Sequence, residues 1–103
     1  MRLGRRRFAD LVERQLDLFA TDEAALLEEA VEADAAWSAA GRDESEERYG
    51  DYQLVVDAVG ERLAEVRDHY ASALDESTTD EYRDTFNRAA TKRFGRFASA
   101  LVE

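Results

Sequence analysis

The chain has 103 residues, a net charge of −10, 45 % apolar and 37 % charged residues, and neither cysteine nor proline. That is the length of one domain, spanning 1–103, with enough apolar content to build a core unaided by disulfides or metal; the missing cysteines also exclude thiolate metal sites and a thiol nucleophile. No apolar run is long enough for a membrane span, the N-terminus lacks the apolar core of a secretory signal, and strong acidity opposes direct nucleic-acid binding, so the expectation is a cytoplasmic protein.

With only five glycines, the composition favours helices over strands. Four helices are predicted. The first runs from Arg5 to Ala20, with Phe8, Leu11, Val12, Leu16 and Phe19 recurring at helical spacing. Thr21 reads as the N-cap of a second helix from Asp22 to Ala40. Its apolar stripe is Leu26, Ala30, Ala33, Trp37 and Ala40, and Gly41 reads as its C′ residue. Asp43, with Glu46 three residues on, predicts a capping box for the third helix.

That third helix carries the clearest pattern. Tyr49, Val56, Leu63 and Tyr70 recur every seven residues, as do Tyr52, Val59, Val66 and Ala73. This heptad seam predicts a long helix from Glu44 to Asp75. A second capping box, Thr78 with Glu81, precedes a fourth helix from Thr79 to Leu101. Tyr82, Phe86, Ala90, Phe94, Phe97 and Leu101 would face inward. Short connections favour antiparallel neighbours, so the expected fold is all-α: an antiparallel up-down bundle of three to four helices. A third helix that outreaches its neighbours would leave seam uncovered, which predicts a homodimer through the Tyr49–Ala73 seam or the Phe94/Phe97 end.

Charge is unevenly placed. Residues 1–20 carry net +2, residues 21–81 net −15 and residues 82–103 net +3. Arg5, Arg6 and Arg7 open the first helix, and Arg88, Lys92, Arg93 and Arg96 line the last among Phe86, Phe94 and Phe97. In an up-down bundle these two basic ends and the Asp43–Glu47 acids would share one end of the molecule, where opposite charges compensate. Arg88, Lys92, Arg93 and Arg96, with Phe94 and Phe97, form the candidate partner-binding set, because arginine and aromatics are enriched at binding hot spots. Asp57, Glu61, Glu65 and Asp68 form an acidic line along the third helix, read as a solvated face.

Catalytic motifs are few. His69 is the only histidine, so the paired Glu-x-x-His of di-metal bundles cannot be assembled, and there is no Gly-rich phosphate loop. One acidic constellation remains: Glu28, Glu29 and Glu32, followed by Glu47 and Asp51. Residues 26–59, "LLEEAVEADAAWSAAGRDESEERYGDYQLVVDAV", resemble the core of the MazG-type all-α nucleoside triphosphate pyrophosphohydrolases. The resemblance implies that an E-E-x-x-E helix and a following acidic pair hold magnesium over a nucleotide's phosphates. Here the position three before Asp51 is Arg48, where that family has an acidic ligand, so Glu47 stands in. On a helical wheel centred on Ala30 and Trp37, Glu28 and Glu32 lie roughly 140–180° from the buried face.

The expectation is therefore a non-enzymatic, self-associating interaction, adaptor or regulatory module that docks a protein partner and uses no cofactor. The alternative is a magnesium-dependent nucleotide pyrophosphohydrolase using Glu28, Glu29, Glu32, Glu47 and Asp51. A third reading is an acidic mimic that occupies the basic site of a nucleic-acid-binding protein.

Overall fold

A computed structural model describes residues 7–102; Arg5 and Arg6 lie outside them. The fold is an all-α bundle: α1 (Ala9–Asp22), α2 (Ala24–Ala39), α3 (Ser45–Ala71) and α4 (Glu76–Phe94), followed by a 3-10 tail (Gly95–Val102). There is no strand among the described residues, and no helix of theirs is long and apolar enough to cross a membrane. The bundle measures 52 × 26 × 24 Å.

The apolar stripes read from the sequence mostly turn inward, although in the second only Ala30 is buried and Leu26, Ala33, Trp37 and Ala40 are half-buried. Phe8, Val12, Leu16 and Phe19 from the first stripe join Ala30, Val59, Leu63, Tyr82, Phe86, Ala90 and Leu101 in one core cluster. Burial of a large apolar side chain stabilises by about 1.5–3 kcal/mol, so this cluster, and not helix propensity, holds the elements in place.

The helix ends differ from expectation. Thr21 caps nothing: it lies within α1, and its hydroxyl donates to the Asp17 carbonyl at 3.2 Å. Between α1 and α2 stands only Glu23. Its N–H donates to the Phe19 carbonyl (2.8 Å), and its carbonyl accepts from the Leu27 N–H (3.0 Å). One residue inside a continuing hydrogen-bond ladder cannot reverse a chain, so α2 extends α1 instead of folding back on it. No side-chain hydrogen bond caps α3, which starts at Ser45, so the Asp43/Glu46 box does not form. Gly41 has no positive φ, because α2 ends on the extended Ala40. The Thr78/Glu81 box is displaced too: α4 begins at Glu76, and Thr78 and Thr79 donate back to the Asp75 carbonyl.

Because α1 and α2 form one run, the helices pack as three long segments. Phe8 packs on Tyr82 (ring centroids 5.4 Å) and Phe19 on Phe94 (5.6 Å), so α1 and α4 run in the same sense. Glu23 pairs with Arg62 (3.5 Å) and Trp37 packs on Tyr49 (4.8 Å), which sets α2 and α3 in opposite senses. The basic start of the first helix therefore meets the start of α4, through Arg7 and Glu81 at 3.9 Å, and not its basic end.

The fourth helix also stops early. Instead of continuing to Leu101 it ends at Phe94, and Gly95 turns the chain with φ +60 and ψ −132. That backbone conformation is open essentially only to glycine. The tail then runs back along α3. Phe97 packs on Tyr52 (6.4 Å), Ala100 seats against Gly60, and the Leu101 carbonyl accepts from Arg67 (3.3 Å). A Cβ placed on Gly60 would stand 2.8 Å from that of Ala100, so the glycine permits the close approach. The middle of the heptad seam, Tyr52, Val56, Val59 and Leu63, is thus buried within the chain. Only its ends are open: Tyr49 is 45 % exposed, and Ala73 lies beyond α3.

Candidate functional site

The acidic constellation is distributed over the surface. Glu28, Glu29 and Glu32 are exposed on α2, and Glu47 and Asp51 are exposed on α3. Asp51 lies 3.7 Å from Arg48 on its own helix. Among the described residues no three histidine, aspartate or glutamate side chains stand where they could hold one metal ion. The structure therefore does not gather Glu28, Glu29, Glu32, Glu47 and Asp51 into a site.

The basic set divides in two. Arg93 donates to Asp17 at 2.6 Å and lies over the Phe94 ring at 5.7 Å. Arg96 donates to Asp34 at 2.6 Å and lies over Tyr52 at 5.9 Å. Both serve charge complementarity within the chain, but with acids of α1 and α2 and not with Asp43–Glu47. Phe94 and Phe97 are half-buried against Phe19 and Tyr52, so they bind the fold together instead of edging a docking surface. Arg88 and Lys92 remain, one turn apart on the exposed face of α4, and among the described residues neither makes an ion pair.

These two cations line an open groove of about 560 Å³ between α1 and α4. Ala9, Val12 and Ala89 contribute its apolar lining, Arg88, Lys92 and Arg93 its basic wall, and Asp10 and Glu13 its acidic wall. The groove follows from the sequence locally. The i, i+3 and i+4 spacing of Phe8, Leu11, Val12, Tyr82, Phe86 and Ala90 turns those residues inward. Small alanines at positions 9 and 89 then leave a furrow at the seam between two packed helices. Its two walls carry opposite charge, so it can orient an incoming segment as well as attract one.

The perturbed titratable groups lie elsewhere and have structural causes. Burial pushes the Tyr82 hydroxyl up to about 12, against the lowering effect of its hydrogen bond to Gln15 (2.8 Å). Burial likewise raises Tyr52, opposed by Arg96. Asp68 is lowered, chiefly by the hydrogen bond from Arg67, despite partial desolvation. The sequence reading missed Arg67. It is buried, and it donates to Asp68 (2.8 Å), Asn87 (2.9 Å) and the Leu101 carbonyl, which latches α3, α4 and the tail together. One signal was available: Arg67 sits between Leu63 and Ala71 on the inward face of its helix, at four-residue steps. His69, by contrast, is exposed.

No protein-family model matches the chain, and neither curated proteins nor solved structures give a match.

Proposed function

We propose that the chain is a non-enzymatic protein-interaction module that docks an amphipathic helical segment of a partner protein, acidic along one edge and basic along the other, in the α1–α4 groove. The observation that carries this reading is the pair Arg88 and Lys92. In a chain of net charge −10, with acids available to pair the other cations of the set, these two adjacent cations remain free of ion pairs among the described residues. They border a groove with an apolar lining. An amphipathic helix would lay its apolar side on Ala9 and Ala89, its acids against Arg88 and Lys92, and basic residues toward Asp10 and Glu13. Such edge charges govern encounter and orientation more than the final affinity.

The test is a synthetic amphipathic helix with glutamates at i, i+4 on one edge, lysines on the other and leucines between. Anisotropy of the labelled peptide is expected to rise with added protein. The Arg88→Glu/Lys92→Glu protein is expected to bind roughly tenfold or more weakly. Reversing two acids away from the groove, Glu61→Lys/Glu65→Lys, should leave binding unchanged. Equal binding by the first variant and the wild type would overturn the reading.

A further inference from the structure

The 3-10 tail fills a cleft that another copy of the same tail would fit equally well. Three observations bear on this. Gly95 alone turns the tail back, with a backbone conformation that favours glycine, and nothing lies within 4 Å of a Cβ placed there. The hinge thus depends on backbone freedom and not on space. Next, the apolar letters run on through it: Phe86, Ala90, Phe94, Phe97 and Leu101 keep the three- and four-residue steps of a straight helix. The tail therefore has two compatible conformations, folded back or continuous with α4. Finally, its seat is specific. Ala100 fits against Gly60 with no room for a further atom, and Arg67 holds the Leu101 carbonyl at 3.3 Å.

We propose that residues 95–102 exchange between two copies of this chain. α4 straightens through Gly95, and each copy's tail seats on the other's α3, on Gly60 and Arg67, in a symmetric dimer. The contacts made are those of the closed chain, so the balance depends on two terms. One is the backbone strain at the hinge, which the open form relieves. The other is the advantage of a tethered segment, equivalent to an effective concentration in the millimolar range. Glycine makes the strain small, so the closed monomer prevails in the wild type at micromolar concentration. Any other residue at 95 raises the strain of the closed form alone, which favours exchange. This inference does not depend on the α1–α4 groove, whose lining includes neither Gly60 nor Arg67 nor any residue of the tail.

Sedimentation equilibrium of Gly95→Ala reads the balance directly. The variant is expected to dimerise roughly tenfold or more tightly than the wild type, given the strain such a conformation imposes on an L-residue. Gly50→Ala, which replaces an exposed helical glycine with ordinary φ, should remain monomeric like the wild type. A second measurement needs no substitution. Labelled and unlabelled wild-type chains are mixed and equilibrated at about 1 mM, and an isotope-filtered NOE is sought between the Ala100 methyl of one copy and the Gly60 α-protons of the other. That contact across copies supports exchange, and it decides the matter should Gly95→Ala fail to fold. A monomeric Gly95→Ala, or a dimer in which the Ala100–Gly60 contact stays within each copy, would overturn the proposal.

Discussion

Arg67 brings a charge into the bundle and finds three partners there. Its guanidinium bonds Asp68, Asn87 and the Leu101 carbonyl, and Asp68 also lies 3.2 Å from Arg83. Truncation would leave the Asn87 and Leu101 oxygens without their donor, and loosen α4 and the tail together. Arg67→Ala is expected to lower unfolding free energy by about 1–3 kcal/mol, measured by urea denaturation. Arg62→Ala, which breaks the more exposed pair with Glu23, should cost less than about 1 kcal/mol. Tyr82 sets a second expectation at this scale. Its folded pKa, about 12, exceeds the ordinary value of 10.0. A group raised on folding gives stability that is complete below its unfolded pKa and lost as pH rises through the folded one. The fold should therefore weaken between about pH 10 and pH 12, and Tyr82→Phe should flatten that loss when urea denaturation is repeated across the range. Asp68 has the opposite sign. Its depressed pKa gives stability present above the ordinary carboxylate value and lost as pH falls through the folded value.

At the level of helices, much was legible because burial writes a period into the sequence. The stripes through Phe8–Phe19, Ala30–Trp37 and Tyr82–Ala90 are inward as the spacing demands. The ends were not legible, for a different reason in each case. Thr21 and Thr78 have the chemistry of N-caps, yet both lie inside helices, where a threonine hydroxyl satisfies itself on the carbonyl of a preceding turn. Gly95 is compatible with a helix at a cost of about 1 kcal/mol, and the apolar steps continue past it, so nothing local announces the reversal. That reversal is also why Phe97 of the expected partner-binding set is spent on packing against Tyr52, while Arg88 and Lys92 stay outward. The acidic helices carry a prediction of their own. Glu28, Glu29 and Glu32 of α2 and Glu47 and Asp51 of α3 are all exposed and not gathered into a metal-holding group. Millimolar magnesium with a nucleoside triphosphate is therefore expected to leave Tm unchanged and release no pyrophosphate. A specific site would raise Tm by linkage, and such a rise, abolished by Glu32→Gln, would restore the pyrophosphohydrolase reading.

Across the whole molecule, charge and shape assign separate tasks to separate faces. The chain compensates Arg93 and Arg96 internally with Asp17 and Asp34. It covers its heptad seam with its own tail and leaves a bipolar groove between α1 and α4. The central claim is that this groove is the docking surface. Amide chemical-shift mapping of the isotope-labelled protein during titration with the same amphipathic peptide tests it most directly. Shifts concentrated on Ala9, Val12, Arg88, Ala89 and Lys92, and lost in Arg88→Glu/Lys92→Glu, are the predicted result. Shifts centred instead on the Trp37–Tyr49 end or on the α2 acids, or a pattern unaffected by that double reversal, would contradict the account.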